Sequence, residues 1–342
     1  MNRRRTPQLL IAATVLLAAG LCLAQNRGFG GFGGGRRGGG RGGFGRGGGS
    51  FGPIVYTEGG AAVDERTVKT AREIAAHSTD PAVWTNSPNF AKDVFTFTRI
   101  IYSPARNGSN PRVSYTASGR GWVTDFPDSD LNLSFRIQQL TSLRTDPDAR
   151  TFRLNDPDLM SYPWIYMVEV GRLMLEETEL PILRRYLLNG GVLMADDFWG
   201  QKQWDNFEFE IKRVLPEEKY HFVELPMEHP IFHTVFDLKG PKNSLQTPNG
   251  RQGASSLIPG SRFYGVTWEL NHDDYDDPPA TRDMHVRAIL DERGRILVIA
   301  THNCDNGDGW EREGEDDGFF HEFSEKRAFP LGINIISYLM TH

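Results

Sequence analysis

Hydrophobic positions along the chain fall into short unbroken runs and into runs with helical spacing. The apolar stretches at 192–195 and 295–300 show no alternation, which is typical of strands buried on both faces of a parallel sheet. Strand character extends to residues 94–102, 121–127, 165–170, 221–225, 263–270 and 285–290. Helical spacing occurs at 64–77, 130–143, 180–187, 205–215 and from 331 to the C-terminus. This alternation predicts a layered α/β domain in which 285–301 forms a hairpin.

Two adjacent carboxylates, Asp196 and Asp197, end the central apolar run after a turn at Asn189-Gly190. In open α/β sheets, ligands lie outside the carboxyl ends of the strands. The two aspartates are therefore candidate ligand-binding residues. The alternative is that one caps the next helix and the other is solvated. Asp130 is in turn placed to cap the helix that begins near it.

Other polar residues stand at predicted strand ends and could converge with this pair: Asp125, His302, Asn303 and Asp305, with Trp199 as an aromatic wall. Carboxylates with one histidine and one asparagine can bind a hard cation or hydrogen-bond the hydroxyls of a sugar. We take Asp196, Asp197 and Asp305 as the candidate metal ligands, with a divalent cation as the candidate cofactor.

The first 55 residues differ sharply from the rest. Residues 1–24 combine three arginines, an apolar run and a small-residue end, as in a secretory signal peptide. Residues 25–55 are a Gly/Arg/Phe-rich stretch that we expect to be a disordered linker. The function that we favour for the linker is contact with an anionic cell envelope. RNA binding is the alternative, although export argues against it.

Charge separates this tail from the remainder. Residues 1–50 contain eight arginines and no acidic residue, whereas the rest of the chain has 30 basic and 44 acidic residues, a net charge of −14. An acidic domain disfavours nucleic acid and suits cations, neutral sugars or basic partners. No apolar stretch reaches the length of about 20 residues that a membrane span needs. We expect an exported protein with a lead-in at 56–92 and one α/β domain at 93–342.

The motifs that follow occur in an order resembling that of domain-of-unknown-function family 4159: Trp122-Val-Thr-Asp-Phe-Pro127, Asp130-Leu-Asn-Leu133, Leu188-Asn-Gly-Gly191 before Asp196-Asp197, His229-Pro-Ile231, and Pro330-Leu-Gly-Ile-Asn334 with Tyr338-Leu-Met-Thr-His342. That family is similar to the class I glutamine amidotransferase-like fold. The resemblance implies a flavodoxin-like, three-layer parallel sheet with helices on both faces and long loop insertions. It implies very little about chemistry.

One departure from the amidotransferases is informative. Their nucleophilic cysteine sits on a strained elbow after a central strand, and the matching stretch here, Ala195-Asp-Asp-Phe-Trp199, has neither cysteine nor serine. We therefore expect no glutamine hydrolysis through a thioester. Cleavage after residue 24 would remove Cys22 and leave Cys304 without an intrachain partner. Cys304 next to His302 is a weaker catalytic candidate than an inert core cysteine.

Three further patterns favour structural interpretations. Residues 303–309 match a calcium loop only loosely, so an Asp/Gly-rich surface loop is the preferred interpretation. The acidic loop Asp273-Asp-Tyr-Asp-Asp277 is interpreted as a solvated lip rather than a metal site. His229 precedes a proline and is expected to shape a turn.

Two classes of function stay open at this stage. The missing nucleophile favours a non-catalytic module that binds a small molecule, a carbohydrate or a protein partner. The polar strand ends favour a hydrolase of carbohydrate or cell-envelope material, in which Asp196 or Asp197, helped by His302, acts through a metal or as a general base.

Overall fold

A computed structural model of the protein describes residues 54–90, 93–103, 121–269 and 279–342. The predicted signal peptide, nearly all of the predicted linker and the acidic loop at 273–277 lie outside the described residues.

The described chain is built on a seven-stranded mixed sheet with the order β4-β3-β5-β6-β9-β8-β7. Six strands run in one direction and β8 runs against them, forming the predicted hairpin with β9. A separate antiparallel pair, β1 and β2, precedes the sheet. The strands are β1 Ile54–Tyr56, β2 Ala62–Asp64, β3 Thr98–Ile100, β4 Arg150–Phe152, β5 Trp164–Val168, β6 Val192–Asp196, β7 Phe222–Glu224, β8 His285–Leu290 and β9 Ile296–His302.

Helices occupy the connections between strands. They are α1 Asp128–Leu140, α2 Leu180–Leu188, α3 Gly200–Val214, α4 Gly250–Ser256, α5 Asn306–Glu311, α6 Asp317–Phe319 and α7 Phe329–Thr341, with a π-helical segment Phe320–Ala328 that joins α6 to α7. Short 3₁₀ turns lie at Ala71–Glu73, Pro88–Phe90, Gly121–Val123, Pro157–Ser161, Val170–Arg172, Pro230–Phe232 and Lys242–Leu245. None of the helices in the described part of the chain has the length and apolar character needed to cross a membrane.

Helices lie on both faces of the sheet, as two neighbouring residues of β9 show. Thr301 donates to Asp196, which in turn holds the start of α5. The next residue, His302, packs against Trp204 of α3. Because successive side chains of a strand point to opposite faces, α5 and α3 lie on opposite sides of the sheet.

The central strands match their predicted character. Every residue of β5, β6 and β9 is buried, which is why these runs lack alternation. Helix α2 and the closing helix α7 also form where the spacing predicts them, and α3 begins at Gly200, five residues before its predicted start.

The prediction of a helix at 64–77 is wrong. Apart from the end of β2 and one 3₁₀ turn, this segment is irregular and runs beside the edge strand β4. The N–H of Thr151 donates to the carbonyl of Lys69 at 3.0 Å, and its hydroxyl donates to that of Val68 at 3.2 Å. Val68 and Ala71 are buried as the pattern predicts. Hydrogen bonds to a sheet edge therefore replace those of a helix.

Three other predictions also need correction. Residues 263–269 form turns rather than a strand, and Gly265 has φ +74°. The turn predicted within 121–127 is present, as a 3₁₀ turn at Gly121–Val123 followed by further turns, but the strand end predicted there is not. Asp130 does not cap a helix: α1 begins at Asp128, and Asp130 lies in its first turn, where it binds the buried Arg99.

Candidate functional site

Three neighbouring strands, β5, β6 and β9, each end in a left-handed turn made by a residue that is not glycine. Glu169 has φ 52°, Asp197 has φ 52° and Asn303 has φ 59°. This conformation costs about 1–2 kcal/mol per residue, and such strain clusters at functional sites. The turns are tied together, because the N–H of Asp197 donates to the carbonyl of Cys304 (3.1 Å) and that of Asn303 to the carbonyl of Phe198 (2.9 Å). The carboxyl edge of the sheet is therefore held in a defined, strained geometry.

Asp196, the last residue of β6, is fully buried and has both oxygens occupied by protein donors. Oδ1 accepts from Thr301 Oγ1 (2.5 Å) and Asn306 Nδ2 (2.8 Å). Oδ2 accepts from Tyr166 Oη (3.1 Å) and from the backbone N–H groups of Asn306 (3.0 Å) and Gly307 (3.1 Å). Burial raises the pKa of Asp196 to about 6. This pattern favours a structural role in which Asp196 fixes the start of α5.

Asp197 and Asp305 converge instead with Glu269, a residue that sequence reasoning missed. One carboxylate oxygen from each lies within 4.8 Å of the others, and we call these three residues the first acidic group. Trp199 Nε1 donates to Oδ1 of Asp197 (2.8 Å), and Asn249 Nδ2 donates to Oε1 of Glu269 (2.9 Å). Oδ1 of Asp305 accepts from a backbone N–H of α5 (2.7 Å). Three separate segments thus direct carboxylates to one point.

A second acidic group contains Asp125, Asp308, Glu311 and Glu58, again with ligand atoms within 4.8 Å of one another. The first three are buried and Glu58 is exposed. Asp125 is only 1% exposed, yet neither of its carboxylate oxygens has a hydrogen-bond partner among the described residues. A buried polar group without a partner is costly, so this carboxylate requires an explanation.

The electrostatics of both groups disfavour ionised carboxylates. Burial raises the pKa values of Asp125, Asp197, Asp305 and Glu311 well above the ordinary range, and neighbouring carboxylates raise them further. Arg312 relieves part of this repulsion, pairing with Asp308, Glu311 and Glu58 at 3.0–3.1 Å. One arginine cannot balance four carboxylates, and a bound cation would lower the repulsion in either group.

Glu169 is a second residue that sequence reasoning missed. It follows β5 directly, and its Oε2 accepts from the backbone N–H of Gly121 at 2.5 Å. Burial raises its pKa to about 7, and Glu269 adds a smaller contribution of the same sign. A carboxyl group with a pKa near neutrality can both donate and accept a proton under physiological conditions.

Trp199 and Asn303, two further candidates at strand ends, make hydrogen bonds within the protein. Trp199 is 2% exposed and orients Asp197, so it does not offer an open aromatic wall. The side chain of Asn303 accepts from the N–H of Gly200 (2.8 Å) and donates to the carbonyls of Ala280 and Asp283 (both 2.8 Å). Asn303 therefore clamps three loops together.

His302 lies in an aromatic cluster under α3 rather than with the acidic groups. Its Nε2 faces the carbonyl of Gly200 at 3.0 Å, and its ring packs against Phe198 and Trp204. Burial lowers the pKa of His302 to about 3, so the ring is neutral at physiological pH. This position supports a packing role and does not bring His302 beside Asp197.

Two structural interpretations from the sequence fit the geometry and one does not. Cys304 is buried and burial raises its pKa well above the ordinary value, which disfavours the reactive thiolate. His229 accepts from the N–H of Ile231 and shapes a 3₁₀ turn. Residues 303–309, however, do not form a surface loop: they are buried and enter the short helix α5.

The spacing of acidic residues around α5 is the signal that could have revealed both groups. Asp305, Asp308 and Glu311 recur every three residues, which places them on one helix face. Glu58 and Glu269 come from distant loops, and no pattern in the sequence connects them to α5.

No curated protein matches this chain. A family model, however, matches residues 111–340, which is more than half of the chain and includes Asp125, Glu169 and most of both acidic groups. The chain therefore belongs to the protein family described as Domain of unknown function (DUF4159), as the order of its motifs predicts.

Proposed function

We propose that this chain is an exported ligand-binding domain whose first acidic group holds a divalent cation. The observation that carries the proposal is the convergence of Asp197, Glu269 and Asp305 from three segments at the carboxyl edge of the sheet. All three offer oxygen ligands only. Oxygen-only sites suit Ca²⁺, Mg²⁺ or Mn²⁺ better than zinc or copper, which prefer nitrogen and sulfur.

The arrangement of the parallel strands supports a flavodoxin-like fold. Counted along the chain, β3, β4, β5, β6 and β9 stand across the sheet in the order 2-1-3-4-5, which is the order of flavodoxin-like proteins. Asp197 then occupies the strained elbow after a central strand, with φ 52°. A carboxylate at the elbow supports cation binding there in place of the amidotransferase nucleophile.

The class of ligand follows from charge and coordination. Ca²⁺ takes six to eight oxygen ligands, so three carboxylates leave positions for oxygens of a bound molecule. The acidic residues after position 50 outnumber the basic ones by 14, which disfavours nucleic acid. We therefore propose a neutral, hydroxyl-rich ligand such as a carbohydrate of the cell envelope.

A metal-assisted hydrolase is the second candidate, and the position of Glu169 favours it. Glu169 directly follows β5, the strand next to β6, and its backbone N–H donates to the carbonyl of Asp196 at 3.0 Å. A carboxyl group one strand away from a bound cation could activate a water molecule. In this mechanism, Asp197, Glu269 and Asp305 would hold the cation, which would supply Lewis acidity, and Glu169 would accept the proton that the attacking water molecule loses.

Calorimetric titration of the EDTA-treated protein with Ca²⁺, Mg²⁺ and Mn²⁺ tests the cation. We expect at least one of the three ions to bind and to raise the melting temperature. At a free ion concentration of 100 times the Kd, binding adds about 2.7 kcal/mol to the free energy of unfolding. Asp197→Asn/Asp305→Asn should abolish binding at this site. Asp237→Asn/Glu292→Gln, which changes two exposed acids, is the charge-matched control. Unchanged binding by the first variant would refute the proposal.

A second experiment distinguishes the binding domain from the hydrolase. A glycan array probed with and without the bound cation should show cation-dependent retention if the protein is a binding domain. Chromogenic glycosides and esters test turnover, which a hydrolase would show and which Glu169→Gln would abolish while leaving retention intact. Retention that is indifferent to the cation would exclude cation-mediated ligand binding.

A further inference from the structure

The second acidic group contains a buried carboxylate, that of Asp125, which has no hydrogen-bond partner among the described residues. Asp125 projects a carboxylate with two unpartnered oxygens into a buried space that it shares with Asp308 and Glu311. Arg312 pairs with Asp308, Glu311 and Glu58. No ion pair joins it to Asp125 within the described residues. Among the four carboxylates, Asp125 is therefore the one with neither a hydrogen bond nor an ion pair to the described residues.

The backbone is shaped so that this carboxylate can lie there. Asp125 has φ 61°, a strained left-handed conformation. A Cβ added at Gly307 would lie 1.9 Å from Asp125 Oδ2, so only glycine at that position lets the carboxylate rest against α5. Helix α5 in turn presents Asp308 and Glu311, three residues apart, on one face.

From this geometry we propose a second divalent-cation site, ligated by Asp125, Asp308 and Glu311 and closed on its exposed side by Glu58. The four carboxylates again offer only oxygen, so the ion is of the Ca²⁺, Mg²⁺ or Mn²⁺ class. The two sites are linked through α5. The backbone N–H of Asp308 in α5 donates to Oδ1 of Asp305, the residue that caps this helix, so one hydrogen bond joins a member of the first group to a member of the second.

Native mass spectrometry in Ca²⁺ counts bound ions per chain and tests the second site directly. We expect two ions on the wild type and one on Asp125→Asn/Glu311→Gln. Asp197→Asn/Glu269→Gln should also retain one, and the variant with all four changes should retain none. Asp125→Asn removes no protein hydrogen bond, and asparagine tolerates the left-handed backbone, so the variant should fold. Asp237→Asn/Glu292→Gln serves again as the charge-matched control.

The outcomes separate this site from the first. If Asp125→Asn/Glu311→Gln binds as many ions as the wild type, the second site is refuted whatever the first group does. If that variant loses its last ion while Asp197→Asn/Glu269→Gln keeps one, the second site holds and the proposed first site fails. Gly307→Ala gives a check on position, because a methyl group there must displace the carboxylate of Asp125. We expect it to weaken binding of one ion at least tenfold, and unchanged affinity would contradict the ligand role of Asp125.

Discussion

The buried ion pair between Arg99 and Asp130 organises the segment that carries Asp125. Both side chains are fully buried, and Nε of Arg99 lies 3.0 Å from both oxygens of Asp130. Nη1 donates to the carbonyls of Trp122 and Thr124, each at 2.9 Å. One guanidinium on β3 thus fixes both the first turn of α1 and the turn that ends in Asp125.

The structure sets the size of the effect expected from breaking this pair. Arg99→Met leaves an uncompensated buried carboxylate, and loss of one partner of a buried pair costs about 3–5 kcal/mol. Asp130→Asn leaves the buried guanidinium without a counter-charge and should cost a similar amount. In the double variant neither position carries a buried charge. The carbonyls of Trp122 and Thr124 lose their donor in Arg99→Met and in the double variant alike, at about 1–3 kcal/mol each, so the double variant should cost no more than Arg99→Met.

Urea unfolding in EDTA at pH 7.5 measures these free energies without interference from bound cations. We expect the double variant to be at least as stable as the less stable of the two single variants. The coupling energy, which is the sum of the two single losses minus the loss in the double variant, is then at least about 3 kcal/mol. The exposed pair Lys219 and Glu292 is the control, and its coupling should stay below about 1 kcal/mol. Additive losses in the Arg99 and Asp130 variants would refute the argument, because they would show that the two charges do not depend on each other.

Four further predictions follow from individual groups. Asp196→Ala should lower the free energy of unfolding by about 2–6 kcal/mol, because two buried backbone N–H groups lose their acceptor; urea titration measures this. The hydrogen bond in which the His77 ring donates to the carboxylate of Asp128 raises the pKa of His77 above its ordinary value, so the protonated ring stabilises the fold at lower pH. That stability is lost as the pH rises through the folded pKa, and the loss between pH 6 and 8.5 should be smaller in His77→Gln. Cys304→Ser should leave cation binding intact and iodoacetamide should label Cys304 slowly, whereas rapid labelling with loss of binding would contradict its burial. Intact-mass measurement should find a mature chain that starts at or near Gln25, whereas full-length protein in the soluble fraction of the native cell would exclude export.

The sequence predicts best those strands that are buried on both faces of the sheet. β6 and β9 lie in the middle of the sheet, so residues 192–195 and 296–300 are apolar on both faces and are recognisable as buried strands from the sequence. The segment at 64–77 is different, since Val68 and Ala71 are buried whether the chain is helical or extended. Only the presence of the β4 edge decides between these conformations, and Thr151 on that edge is 83 residues away from Val68 in the sequence.

The same reasoning divides the candidate site. Asp197 directly follows β6 and Asp305 comes three residues after the end of β9, so the rule that ligands lie at carboxyl ends is enough to select them. Asp196 follows the same rule, but its side chain faces α5 and is consumed by five donors. The face to which each of two adjacent residues points depends on where the strand ends. A sequence pattern does not fix that boundary to a single residue.

The acidic residues of α5 are informative for the opposite reason, because they oppose folding. A short helix that buries Asp305, Asp308 and Glu311 together places like charges in a medium that solvates them poorly. The strained backbones of Asp125 and Asp197 add to that cost, and Arg312 offsets only part of the charge. Local choices that each destabilise the fold, yet agree on one location, are expected where a ligand supplies the missing stabilisation. The position of the strain, at the carboxyl edge of the parallel strands, is where sheets of this kind bind their ligands.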